Sequence, residues 1–297
     1  MGLLDSFESF RLWNSKLNSP AQTSSAMPAP TFGRIPPSLW DESKPPLKNS
    51  TACFNLQQLD QFIGVPRGHA HGSWGYTVLR TTYTPEADTL FPLALARLKN
   101  YIRWWCHFRR FPLHHGTTPC DGTCGAAAEP NAEISRRLYL DVVEDREGLA
   151  HLDGGGDGSA EERFTALGAY FRRWAAGVDT GVHPHQNPRY VICVVMDSES
   201  VASLARLPEE LPPLRCVVGN EEARIFLGTG EDAWVWLLEA DYMAEPEEHD
   251  DEYHGWLRTT VYDFQMSWFT RLERGTAPCY LHVERPEGSG IFYFDAL

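Results

Sequence analysis

Five carboxylates and two histidines stand in one short run, Glu247-Glu248-His249-Asp250-Asp251-Glu252-Tyr253-His254, directly ahead of Gly255-Trp256. Like charges at that spacing raise one another's pKa, and a carboxylate or imidazole held in such a field is suited to accept a proton near neutral pH. An acidic run is also the ordinary composition of a solvated loop. Trp256, Val261, Tyr262, Phe264, Trp268 and Phe269 follow it, so the acids abut packed structure rather than a free tail. A carboxylate or imidazole at such a junction is the candidate general base. Asp141, Glu144, Asp145, Glu239 and Asp241 fall on or at the ends of expected strands. Together they suit a guanidinium or ammonium substrate, because paired carboxylate oxygens match a guanidinium bidentately; acids at a sheet rim in solvent are the competing reading.

A second constellation is cationic. Lys99, Arg103, His107 and Arg110 lie on one expected helix, and Arg103, His107 and Arg110 share a face at i, i+4 and i+7. Such a face is either a solvated helix end, where the macrodipole favours cations, or an anion site for phosphate, with Trp104 beside it able to stack on a base. His114, His115, Cys120 and Cys124 are ligand types that zinc accepts. A Gly/Thr/Pro-rich surface loop carrying two thiols has the same composition, and no metal is expected there. The chain holds no P-loop, no dinucleotide fingerprint at Gly154-Gly155-Gly156-Asp157-Gly158 and no nucleophile elbow. Ser73, Thr81 and Thr82 are hydroxyl nucleophiles only if a base lies beside them in space.

The elements that must position these groups are readable in outline. Trp74 to Tyr83 is rich in β-branched and aromatic residues and predicts a strand. Phe91, Leu95, Leu98, Ile102 and Trp105 repeat near a period of 3.6 and predict a long helix over 88–110. Arg136 to Glu144 reads as a second strand. Ser159 is placed to cap a helix whose buried stripe is Phe164, Leu167, Phe171 and Trp174. Tyr190 to Met196 is a nearly continuous apolar run, the mark of a central strand with a buried thiol at Cys193. Shorter strands are expected at Arg215–Val218, Arg224–Leu227, Trp234–Asp241, Trp256–Val261 and Ile291–Phe294. The order predicts an α+β fold, a mixed β-sheet with the two long helices packed on one face.

Residues 1–50 read as a flexible Pro/Ser-rich arm and 51–297 as a single α+β catalytic domain. Ser15 to Lys48 has almost no apolar periodicity and cannot offset its chain entropy; Leu3, Leu4, Phe7, Phe10, Leu12 and Trp13 ahead of it suit a short amphipathic docking helix. A net charge of −14 excludes broad, sequence-independent binding to a polyanion, so any nucleic-acid contact must be local. Seven scattered cysteines are not the framework of a small secreted domain, no apolar run is long enough to span a membrane, and acids stand where a signal peptide needs a basic flank. A soluble cytoplasmic protein is the expectation.

Three patches carry a resemblance: Trp74-Gly-Tyr-Thr-Val-Leu-Arg-Thr-Thr-Tyr83, Pro85-Glu-Ala-Asp88 and Asp250-Asp251-Glu-Tyr-His254-Gly-Trp-Leu-Arg258. Together, over residues 70–295, they resemble fungal proteins of secondary metabolism, and among these the arginine-containing cyclodipeptide synthases. That family is thought to use a D-D-x-x-E motif to join arginine from its charged tRNA to a second aminoacyl group as a diketopiperazine. Here His254 stands in the place of the glutamate, so an imidazole must replace the carboxylate if that group moves the proton. The resemblance implies arginyl-tRNA and a second aminoacyl-tRNA as partners and no cofactor; no membrane association is expected, and the sequence identifies no protein partner. It implies Asp250, Asp251 and His254 as catalytic groups, Glu239, Asp241, Trp256, Arg80 and Tyr83 around the substrate, and Arg103, His107 and Arg110 against the tRNA. A tRNA-independent biosynthetic enzyme using the same acids, or a non-catalytic protein whose Pro-rich arm recruits a partner, are the rival readings.

Overall fold

The computed structural model describes residues 31–39, 51–63, 72–108, 128–154, 159–178, 188–211, 233–240, 242, 254–261, 264, 282–284 and 291–294. Within them, helices α1 (Thr51–Ile63), α2 (Pro85–Phe108), α3 (Ala128–Arg136), α4 (Arg146–Leu149), α5 (Ala160–Gly177), α6 (Pro188–Val191) and α7 (Ser198–Ala205) accompany strands β1 (Thr77–Arg80), β2 (Asp141–Val143), β3 (Ile192–Met196), β4 (Trp234–Glu239), β5 (Trp256–Thr260), β6 (His282–Glu284) and β7 (Ile291–Phe294). The strands form one seven-stranded mixed sheet in the order β2-β1-β3-β4-β5-β7-β6. β1 runs parallel to β2 and β3, β4 is antiparallel to β3 and β5, and β7 is parallel to β5. The fold is α+β.

The sheet is covered differently from the expectation, because the two long helices take opposite faces. Val78 of β1 and Ile192, Val194 and Met196 of β3 share a core with Phe91, Leu98 and Ile102 of α2. Leu79, Cys193 and Val195, the alternate residues, share a second core with Phe164, Leu167 and Phe171 of α5. Chain topology enforces this. From β1 the chain crosses through α2 and α3 to β2 on one side, then returns through α4 and α5 past β1 to β3 on the other. Parallel crossovers are almost always right-handed, so steps in opposite directions along a sheet place their helices on opposite faces.

Several elements follow local chemistry closely. Pro85 opens α2 at the position where a missing N–H costs nothing, and Thr84 Oγ1 accepts the Ala87 N–H (3.1 Å). Ser159 caps α5 in a reciprocal capping box with Glu162. Other expectations are corrected. The strand expected over Arg136–Glu144 survives only as Asp141–Val143 and one bridge from Trp74 to Leu138. Its first residues belong to the end of α3, where the Arg137 N–H is taken by Glu133 and Ile134 carbonyls. Part of the arm expected to be disordered is docked, since Ile35 is only 2% exposed and packs among Leu56 and Leu59 of α1. The expected amphipathic helix near the N-terminus and the strands at 215–218 and 224–227 lie outside the described residues.

Candidate functional site

β5 begins immediately after the acidic run. Gly255 holds φ +87, and a Cβ there would lie 2.7 Å from Cβ of Tyr242, so only glycine fits both the backbone and the space. The Gly255 carbonyl accepts the Glu239 N–H (2.8 Å), which fixes the start of β5 to the end of β4. His254 is thereby exposed at this amino edge of the sheet, its ring 5.4 Å from that of Trp256. Trp256 in turn stacks on Phe164 of α5, with centroids 5.0 Å apart and planes at 13°. Of the expected site residues, His254 and Trp256 come together here, whereas Glu239, next to the Leu238 that pairs with Trp256, alternates onto the opposite face and shares only its backbone N–H with Gly255. Asp250, Asp251 and Asp241 lie outside the described residues.

Arg80 and Tyr83 are elsewhere. Arg80 pairs across the sheet with Met196 at the carboxyl end of β3, whereas Ala240, next to Glu239, bonds to Val191 just ahead of that strand. At about 3.3 Å per residue the two edges are about 16 Å apart. Arg80 and Tyr83 therefore do not line a pocket with Glu239, Trp256 and His254. Instead Arg80, its side chain 9% exposed, bonds Glu144 (2.8 Å), the Thr82 carbonyl (2.9 Å) and Asp88, while Asp88 also holds Arg146 (2.9 Å). The Tyr83 ring lies between the two guanidinia, at 4.7 Å from Arg80 and 5.2 Å from Arg146. Burial first, and then the neighbouring carboxylates of Glu144 and Asp145, push the Tyr83 phenol up to about 12 against the opposing charge of Arg80. This cluster ties α2, β1, β2 and α4 together.

The strand-end acids are similarly committed. Asp145 accepts the Gly148 N–H and the Tyr170 hydroxyl (both 2.9 Å), and burial foremost raises the Tyr170 phenol further. Asp141 is buried beside Arg189, whose guanidinium donates to the Tyr139 carbonyl (2.9 Å) and to Ser73 Oγ (3.2 Å). Desolvation lowers the Arg189 pKa despite the nearby charge of Asp141. Among the three hydroxyl candidates, Ser73 is engaged by Arg189 and Thr81 Oγ1 reaches the Met196 carbonyl (3.4 Å). Thr82, fully buried, has a hydroxyl with no hydrogen-bond partner. Asp197, missed by sequence reasoning, is 2% exposed and gathers Arg163 (2.9 Å), the Trp236 indole (2.7 Å) and the Ser200 N–H (2.9 Å). Its position after a strand and three residues before Ser200, the spacing of a capping box, was the available signal.

The cationic helix face is present in part. α2 leaves the carboxyl edge at Pro85 and runs back, so that Cys106 meets Asn131 of α3, the helix whose Ile134 carbonyl accepts the Trp74 indole N–H (2.7 Å). Its C-terminal half thus approaches the amino edge, the end at which His254 stands. Lys99 and Arg103 are both half-buried there, one turn apart. Among the described residues neither has an ion pair or hydrogen bond, and the Arg103 Nε is shielded from solvent without a partner. Burial, and then the charge of Arg103, lowers the Lys99 pKa. Arg103 belongs to α2, on the face of the sheet opposite Trp256; the His107 side chain and Arg110 lie outside the described residues.

Among the described residues no group of three or more His, Cys, Asp or Glu could hold a metal ion, and His114, His115, Cys120 and Cys124 are outside them. No described helix is long and apolar enough to cross a membrane. Comparison of the chain with known protein families, with curated proteins and with solved structures finds no match.

Proposed function

We propose that this protein carries out aminoacyl-tRNA-dependent synthesis of an arginine-containing cyclodipeptide in the cytoplasm. The observation that carries the reading is the Lys99–Arg103 pair. In a chain with 40 acids and 26 bases, Lys99 and Arg103 are adjacent, half-buried cations with no carboxylate partner among the described residues. Holding like charges together at a partly desolvated site is unfavourable unless an anion arrives, and a phosphate backbone is such an anion. The site is local, as the net charge requires.

In this reading Glu239 and Asp241 supply the carboxylates for the arginyl guanidinium, and Trp256 packs against the His254 ring on its own face of the sheet. His254, with Asp250 and Asp251 beside it in sequence, takes a proton from the arginyl α-amine. The amine attacks the ester carbonyl of the second aminoacyl-tRNA, forming the amide, and the departing ribose hydroxyl recovers the proton. The second residue's amine then attacks the arginyl ester, closing the ring and releasing the other tRNA. Both steps are ester aminolyses, so the protein supplies positioning and a proton acceptor and needs no cofactor. Arg80 and Tyr83 position α2 rather than touch substrate.

Expression in a host with its own charged tRNAs, followed by mass spectrometry of the medium, tests the proposal. A new arginine-containing diketopiperazine is expected, absent with Asp250→Asn/Asp251→Asn and reduced at least tenfold with Lys99→Gln/Arg103→Gln. Absence of product from well-folded wild-type protein would overturn it. The strand order favours one other reading. The sequence of crossovers reverses between β1 and β3, the place where open α/β sheets take small ligands, and the unpartnered Thr82 hydroxyl follows β1 there. A tRNA-independent enzyme using that edge would act on a free small molecule and survive ribonuclease treatment.

A further inference from the structure

The described part of the N-terminal arm lies against α1 and α3 in the manner of a bound peptide. Phe32 is flanked by two guanidinia, 5.1 Å from Arg136 and 5.3 Å from Arg137. Arg137, 1% exposed, donates to the Gly33 carbonyl (2.6 Å) and to the Gly72 carbonyl (2.9 Å) while Glu133 holds its Nε (2.6 Å). Asp60 of α1 receives both the Arg34 guanidinium (2.9 Å) and the Ile35 N–H (3.1 Å). Ile35 itself is buried in the apolar core that also holds Leu56 and Leu59. Each successive residue is thus read by a different chemistry: a ring between cations, a carbonyl by a buried guanidinium, a cation by a carboxylate, an aliphatic side chain by the apolar core.

The Gly33 carbonyl and the Ile35 amide are both bonded to side chains rather than to backbone. Here the bonds come from Arg137 and Asp60, which short peptide ligands also use for specificity and orientation. The geometry points to a peptide-binding groove between α1 and α3 that recognises an extended aromatic-Gly-Arg-aliphatic segment and is filled in cis by Phe32-Gly33-Arg34-Ile35. Arm and groove form a latch: the surface accepts a peptide in trans only when its own segment leaves. Arg137 couples the latch to the sheet, since its backbone carbonyl accepts the Trp74 N–H at the approach to β1 (3.1 Å).

The test uses the full chain and a fluorescent peptide spanning Thr31 to Leu39. Ile35→Asp places a charge in the apolar core and releases the arm, so this variant is expected to bind the peptide at least tenfold more tightly than wild type. Adding Asp60→Ala to it abolishes that gain. Equal binding to wild type and Ile35→Asp, or none to either, would overturn the latch. Phe32→Ala, which leaves Ile35 in the apolar core, gives a smaller gain in the same direction and keeps the test decisive if Ile35→Asp does not fold. A wild-type dimer that the peptide dissociates would overturn the cis assignment, because the groove would then be filled by a second copy.

Discussion

At the residue scale the positions that matter most are those with one chemistry available. Gly255 is the hinge that turns the chain out of the acidic motif into β5. Gly255→Ala is expected to cost about 1–2 kcal/mol from the left-handed backbone alone, with crowding against Tyr242 added. A lower urea midpoint and lost product together would check it, since His254 moves with the hinge. Asp197 is the second such position. Asp197→Ala leaves Arg163, 14% exposed, without its carboxylate and is expected to cost about 3 kcal/mol, read by thermal unfolding, with Asp197→Asn costing less. The two residues differ in how visible they were. Gly255 stands at the end of the acidic motif, whereas Asp197 acts through partners from α5 and β4 that only the folded chain assembles. Arg80 and Tyr83 show the converse, because their place in a conspicuous strand said nothing of which sheet edge they would occupy.

At the element scale, strong periodicity and capping chemistry were legible. The buried stripe of α5 and its cap residue are as expected, and Ser159→Ala should lower stability by about 1 kcal/mol through loss of the capping box, measurable as a shifted denaturation midpoint. β3 and β7 match their apolar runs closely. α1, α3 and α7 went unseen, for physical reasons. α3 is a short helix whose Ala128-Glu129-Pro130-Asn131 start gives little apolar repeat, and α7 is eight residues rich in serine. Both are held mainly by tertiary contacts, α7 by Asp197 at its cap and by Arg97 of α2 at its last carbonyl. Propensity is a weak guide where packing decides. The face taken by each long helix was equally unreadable, because it follows from the direction of crossovers along the sheet rather than from any local pattern.

At the scale of the whole molecule, two cores on either side of one sheet enclose an unusual number of phenols. Burial foremost pushes Tyr83, Tyr101 and Tyr190 up to about 12 from the ordinary 10.0. Between those values the unfolded chain loses phenolic protons that the folded chain keeps, so stability is expected to hold up to about pH 10 and to fall from there toward pH 12. Urea unfolding across that range, with Tyr190→Phe shallower than wild type, checks the sign. A net charge of −14 opposes tRNA binding in general, so the proposed contact must be local, and among the described residues Lys99 and Arg103 of α2 are adjacent cations with no ion pair. The most direct measurement is incubation of the purified protein with arginyl-tRNA carrying labelled arginine and a second aminoacyl-tRNA, following label into diketopiperazine. Label should appear in the product with wild type, fall at least tenfold with Lys99→Gln/Arg103→Gln and vanish with Asp250→Asn/Asp251→Asn; label that stays on the tRNA with folded wild-type protein would contradict the assignment.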